Sequence, residues 1–416
     1  MAQLGKDSFA AGDGPMAVEE GVALLAARIA PVAGIETVGL ADLDGRVLAA
    51  PILAPIDLPP FDNSAVDGYA VRHGDLAVGK ESRFPVVARI AAGMAGTPLP
   101  DRSAIRIFTG APMPPGADTV YMQEDTRLEG GEVILPAGLA PGANRRLAGE
   151  DAVAGHPVLA AGRRLVPQDV ALLAALGLAG VPVRRRLKVA VFSTGDEVVP
   201  PGQPLRPGAL HDSNRFALMA MLRRLGCDIV DLGILADERA GVGRAVAAAA
   251  ASCDLVVTSG GVSMGEEDHV RAALSEVGSL VFWKLAIKPG RPVAMGIVAG
   301  TPVVGLPGNP VAVFVTFAHV VRPLLAALAG EAYAPPAPVP VVAGFSFRKK
   351  TGRREYLRVR LLPDGSGRPV AHLHPREGAA AITSLTETDG FVVLPEDRTV
   401  VEPGEALGFL SYAVLR

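Results

Sequence analysis

Four apolar runs in the second half of the chain each give way to a loop whose residues could hold an anionic, metal-assisted substrate. Leu187–Ser193 leads into Thr194, Gly195, Asp196 and Glu197. Asp254–Val257 leads into Thr258, Ser259, Gly260, Gly261, Val262, Ser263, Met264, Gly265, Glu266, Glu267 and Asp268. Leu285–Ile287 leads into Lys288-Pro289-Gly290-Arg291-Pro292, and Val303–Leu306 into Pro307-Gly308-Asn309-Pro310. Unobstructed backbone N–H groups, two lysines and several carboxylates suit a phosphate-bearing ligand with a divalent cation, because Mg²⁺ prefers oxygen ligands and bridges carboxylates to substrate phosphates.

The individual loops read as follows. Gly308 suits a turn with positive φ, Asn309 suits an N-cap and Pro310 the first helical position. The helix through Val311–Ala318 then turns free N–H groups toward an anion. A plain turn and cap would use the same residues. Ser259 to Gly265 precede a second helix, His269–Val277. Glu266, Glu267 and Asp268 in its first turn are either metal ligands or ordinary partners of the helix dipole. Asp196, Glu197 and Asp237 add strand-end carboxylates. Lys284 and Lys288 stand four apart, so one extended strand would carry both ammonium groups on one face, as ligands or as edge protectors.

Elements must bring these loops together. Short β-branched runs alternating with helical stretches read as βα units of a parallel sheet, and ligands of open sheets sit beyond the carboxyl ends of the strands. The crossover Val198–His211 is long enough to be a lid. It leads into Asp212-Ser213-Asn214, where Asp212 or Ser213 would cap a helix Arg215–Leu225 that Gly226 ends. Val18–Ile29 and Asp169–Leu178 read as further helices. Pro-rich turns around Phe84–Ile90 and Ala104–Phe108 indicate a compact β-rich domain. Arg184-Arg185-Arg186 reads as a solvated linker, and beyond the Pro-rich stretch Ala334–Pro340 the chain alternates like a small all-β domain.

Composition bounds the rest. The chain has 416 residues, enough for two to four domains, with 49% hydrophobic and 20% charged residues. A net charge of −3 gives no reason to expect nucleic acid. Cys227 and Cys253 cannot build a disulfide framework and read as small buried hydrophobes. No apolar run approaches ~18 residues and no secretory pattern opens the chain, so a cytoplasmic protein without a membrane span is expected. Gly74, Gly79 and Lys80 mimic a phosphate-binding loop, but Glu81 stands where Ser or Thr is needed.

Phe61–Arg72, Arg106–Pro112, Gly149–Asp151, Ser193–Glu197, Ser259–Asp268, Phe282–Pro292 and Leu306–Pro310, taken in this order, resemble the molybdopterin molybdenumtransferase family, the MoeA type that includes the E domain of gephyrin. The resemblance implies an enzyme that takes adenylylated molybdopterin and molybdate, cleaves the phosphoanhydride with Mg²⁺, and releases molybdenum cofactor and AMP. The fold it implies is multidomain α/β plus β. A doubly wound α/β domain, similar to the adenylyltransferase acting one step earlier, spans 184–330. A β-rich inserted domain spans 54–151, an N-terminal linking domain spans 16–53 and 152–183, and a small C-terminal β-barrel-like domain spans 331–416. It further implies a homodimer whose cleft takes the β-rich domain of the other subunit. The adenylyltransferase and acceptor molybdoenzymes are its implied partners.

By position, the resemblance implies catalytic roles for Asp67, Asp151, Glu197, Asp237, Lys284 and Lys288. Glu197, Asp237 and Asp268 would hold the metal. Substrate would be bound by Thr109, Thr194, Gly195, Ser259, Gly260, Gly261, Ser263, Pro307, Gly308, Asn309, Pro310, Arg354, Arg358 and Ser384. Asp67 and Asp151 would act across the dimer. One position departs from the pattern: Ala312 stands where a serine is common, which removes a hydroxyl donor. Two other readings compete with this one, the preceding adenylyl transfer and a scaffold that kept the fold without catalysis. The first would show ATP-dependent adenylylation, the second tight binding without AMP release.

Overall fold

The computed structural model describes residues 14–236, 238–260, 276 and 278–415. Asp237, Gly261, Ser263, Asp268 and nearly all of the expected helix 269–277 lie outside them.

The first helix, Val18–Arg28, carries Glu19 and Glu20 in its opening turn and Arg28 in its last, charges that suit its dipole. Strand Ile35–Gly39 then pairs antiparallel with Gly180–Arg184, joining two segments distant in sequence. Their shared core of Leu43, Leu48, Leu165, Leu173 and Val183 also receives the helix Pro167–Ala175. Between these segments stands a mixed six-stranded sheet ordered Thr119–Met122, Gly68–Val71, Ala104–Ile107, Ser82–Ile90, Glu132–Leu135, Arg127–Glu129.

The α/β sheet is ordered Asp228–Leu235, Lys188–Thr194, Leu255–Ser259, Thr301–Leu306, Pro292–Val298, Ser279–Lys284. The first four strands are parallel, as the continuous apolar runs of the inner three, buried on both faces, suggest. Val189 and Val191 pack with Leu218 and Leu222 of helix Asn214–Arg224 on one face. Ala190 and Phe192 pack with Val242 and Val246 of helix Arg239–Ala250 on the other. The sheet is therefore doubly wound. The last two strands are antiparallel additions, so the sheet is mixed rather than wholly parallel.

One expected strand belongs elsewhere. Leu285 makes an isolated bridge to Met16, and Ile287–Lys288 pairs in parallel with Arg354–Glu355. A three-residue apolar run bounded by turn signals fits either sheet, and here it leaves the α/β domain to join the C-terminal one. That domain closes on itself. Arg354–Pro363, Pro369–Leu373, Val339–Ala343, Ala406–Ser411 and Gly390–Leu394 pair in turn, and the last returns to the first. The result is a five-stranded barrel around Val359, Ala371, Val392 and Phe409.

The helical stretch 310–329 has the length and apolarity of a membrane span, but 78% of it is buried in the core, against the α/β sheet and Val18–Arg28. Arg185 is no solvated linker residue. Its guanidinium grips Asp254 at 2.7 and 2.6 Å, and the Lys188 N–H adds a third bond at 2.8 Å to a carboxylate only 7% exposed. A buried carboxylate needs such partners, while the Arg185 side chain, 36% exposed, can turn to water if the carboxylate is removed. Asp254→Ala should therefore cost about 1–2 kcal/mol in chemical denaturation, less than the penalty for breaking a fully buried pair.

Candidate active site

The site begins where the parallel strands end. Thr194 is buried at the end of its strand, and the chain turns at Gly195, whose φ is +130°. A Cβ there would sit 2.6 Å from Glu197 Oε2, so the carboxylate folds back over a position only glycine can occupy. Glu197 is exposed. Its carbonyl accepts the Leu210 N–H at 2.9 Å, while the Arg206 guanidinium donates to the Asp196 carbonyl. The long crossover is thereby folded back onto the strand end.

Ser259 and Gly260 end the neighbouring strand, and Gly260 N–H donates to Leu306 O at 3.1 Å. Ser259 Oγ donates to Pro307 O at 3.4 Å. Asn214 Nδ2 bridges these loops, donating to Ser259 Oγ at 2.9 Å and Gly308 O at 2.7 Å. Thr194, Gly195, Ser259, Gly260, Pro307 and Gly308 thus converge as expected for an open sheet. Asn214 was not among the expected site residues, and neither was Asp212. The buried Asp212 accepts from Ser193 Oγ at 3.0 Å and Arg215 Nε at 2.7 Å, and Arg215 continues to Asp231 at 2.5 Å. The tripeptide Asp212-Ser213-Asn214 after the long crossover was the available signal, and it reads equally as a helix cap.

Pro310 opens its helix with Asn309 as N-cap, but the Asn309 side chain makes no capping bond. Gly308 does not take a positive φ, and a Cβ there would meet open space. The helix N-terminus is not wholly free either. Val311 N–H donates to Ala379 O at 3.0 Å, tying the turn to the barrel. Ala312 is buried in this helix.

Lys284 and Lys288 are separated by the change of sheet and do not share a strand face. Lys284 ends the antiparallel edge strand and is half-buried. Lys288 Nζ reaches Glu355 Oε2 at 3.2 Å, and Arg353 Nε holds the other oxygen at 3.0 Å. Lys288 and Arg358 line a cavity of about 100 Å³ together with Glu355, His374 and Glu377. Arg358 is 7% exposed. It donates to Gly378 O and Arg376 O at 3.0 and 2.8 Å, while its Nε–H has no acceptor. Burial pulls this guanidinium below its usual pKa range, so an anion would relieve it. Arg354 is committed elsewhere, to Glu19 and Glu396 at 2.6 and 3.2 Å. Ser384 is fully buried and donates to Ala381 O.

In the β-rich domain, Asp67 Oδ1 accepts both the N–H and the Oγ1–H of Thr109 at 2.8 Å. These two hydrogen bonds, with Arg106 contributing charge, hold the Asp67 carboxyl below its usual range. The next residue must be glycine, since a Cβ on Gly68 would lie 1.7 Å from Tyr121 O. Asn63 and Ser64 pair with Arg146 and Arg145, and Asp62 accepts the Ala148 N–H at 2.8 Å. The loop carrying exposed Asp151 therefore lies beside the one carrying Asp67. Within one chain, both acidic loops belong to a different sheet from the strand-end loops.

Among the described residues, no three His, Cys, Asp or Glu side chains are grouped to hold a metal. Of the three expected ligands, Glu197 alone is described.

Family models match nearly the whole chain in order. The MoeA N-terminal region (domain I and II) covers residues 16–177, a probable molybdopterin binding domain 190–327, and the MoeA C-terminal region (domain IV) 340–411. A molybdopterin biosynthesis MoeA protein from Pyrococcus horikoshii superimposes with a TM-score of 0.81 at 29% identity, over 96% of this chain and all of that one. These matches define the class, a multidomain MoeA fold. A molybdopterin molybdenumtransferase of Haemophilus influenzae is 40% identical over 89% of this chain and 92% of its own length. One from Bacillus subtilis is 33% identical over 90% and 89%. The chain belongs to the molybdopterin molybdenumtransferase family, transferases that serve molybdenum insertion in cofactor biosynthesis.

Proposed function

We propose that the protein takes adenylylated molybdopterin and molybdate and releases molybdenum cofactor and AMP. It does so as a cytoplasmic homodimer divided into domains at the boundaries the sequence suggested. The observation that carries this reading is the convergence of three loops at the strand ends, bridged by Asn214, beside a cavity where a buried arginine leaves one N–H without an acceptor. The strand-end loops present amides to the pterin phosphate. Lys288 and Arg358 draw in molybdate, a tetrahedral dianion, and lower the cost of negative charge on the leaving phosphate. Glu197 and the undescribed Asp237 and Asp268 would hold Mg²⁺, which supplies charge neutralisation at the phosphates. Asp67, held ionised by Thr109, and Asp151 enter from the partner subunit to orient water and molybdate.

Mixing two inactive variants tests this arrangement. In a dimer of one Asp67→Ala and one Lys288→Ala chain, a shared site leaves one of the two centres intact. Co-refolded or co-expressed mixtures should regain roughly a quarter of wild-type activation of an apo-molybdoenzyme. A site built within one chain would regain none.

A further inference from the structure

Asn214 stands first in helix Asn214–Arg224, directly after the long crossover. A residue serving only that helix would turn its side chain to its own backbone. Asn214 instead reaches across the carboxyl ends of two other strands, to Ser259 Oγ and to Gly308 O. The orientation of its amide follows from chemistry. Gly308 O can only accept, so the NH₂ group faces it, and the second N–H is satisfied by Ser259 Oγ. Ser259 Oγ passes its own proton to Pro307 O, which gives a directed chain from Asn214 through Ser259 to the Pro-Gly turn. Oδ1 is left without an acceptor role toward any described residue. The helix N-terminus that this turn opens is simultaneously tied to the barrel through Val311 and Ala379.

We propose that Asn214 is a positioning residue of the cleft. Its carboxamide fixes the separation of the Ser259-Gly260 and Pro307-Gly308 loops at the width the pterin substrate requires. This deepens the function proposed above and rests on it for the identity of the ligand. Loop spacing in a binding cleft is worth more than the bonds that set it, because a displaced amide loses its contact with the substrate.

Two measurements on Asn214→Ala test the assignment. In the free protein, hydrogen exchange at Gly260 N–H should accelerate about tenfold, since the loop loses its crosslink, while the amides of helix 214–224 keep their protection. With adenylylated molybdopterin, KM should rise about tenfold with kcat within about twofold, the loss of one directed hydrogen-bond chain. Asn214→Asp keeps the volume but faces Gly308 O with a lone pair, so it should do no better than alanine. Unchanged exchange at Gly260, or a lowered thermal midpoint with KM unaltered, would overturn the proposal and leave Asn214 a helix-start residue. Failure of the wild-type protein to bind adenylylated molybdopterin would sink the substrate reading alone, because exchange in the free protein still decides the latch.

Discussion

Asp67→Ala should lower molybdenum insertion by at least ~100-fold while the protein keeps its fold and thermal midpoint, because a positioned carboxylate acting on a proton or an oriented water contributes that much. The side chain is half-buried, but Thr109 is exposed, so the N–H and hydroxyl left behind are open to water, which replaces the lost acceptor. The loss of rate therefore reports chemistry. Asp67→Asn keeps one acceptor oxygen for Thr109 and removes the charge, so it separates position from charge and should be nearly as inactive. The pH profile gives an independent check. The Thr109 bonds depress the folded-state pKa below the ordinary 3.8, so the carboxylate is ionised throughout the neutral range. Its contribution to stability is present above 3.8 and lost as pH falls through the lower folded value. An acid limb in the activity of the wild-type protein at pH 5 to 7 must then come from another group. Insertion by Asp67→Ala at the wild-type rate would remove Asp67 from the site.

Lys288→Ala should cost a further large factor, ~10²- to 10³-fold, as the loss of one donor aimed at developing anionic charge does. Its structural cost is smaller. Lys288 is about half exposed, and Glu355, 1% exposed, keeps its Arg353 partner at 3.0 Å. A partly exposed pair contributes about 1 kcal/mol, so the thermal midpoint falls by only a few degrees. Lys288→Arg retains the cation but lengthens it into the cavity shared with Arg358. It should recover Glu355 pairing and stability without recovering rate. A variant that regains both would mean Lys288 serves only to neutralise Glu355.

Much of this fold was legible in the chain, and the exceptions are instructive. The runs Leu187–Ser193, Asp254–Val257 and Val303–Leu306 are continuous and β-branched because both faces of their strands are buried under helices, and that pattern leaves few alternatives. Helix Val18–Arg28, the helix that Pro310 opens and the all-β character of the C-terminal segment followed from equally local signals. Leu285–Ile287 failed because three apolar residues between turn signals say extended but not which sheet; the choice is made by Arg354–Glu355, far along the chain. The pairing of Asp67 with Thr109 was out of reach for the same reason. The two lie 42 residues apart, just beyond the ends of adjoining strands of a mixed sheet whose register no local pattern encodes. The roles of Arg354 and Arg185 depend on distant carboxylates, Glu19 and Asp254, that composition alone cannot assign. Asn214 was hidden by ambiguity of another kind, since Asp212 or Ser213 beside it already explains the helix start as a cap. Sequence thus located the loops, and tertiary contacts decided which side chains in them are free to act.

The most direct measurement is AMP release by the purified protein given adenylylated molybdopterin and Mg²⁺, with and without molybdate. AMP should appear in a molybdate-dependent manner, together with a cofactor that activates an apo-molybdoenzyme. Substrate that stays bound with no AMP released in the presence of molybdate would contradict the account and make this a binding protein on a transferase fold.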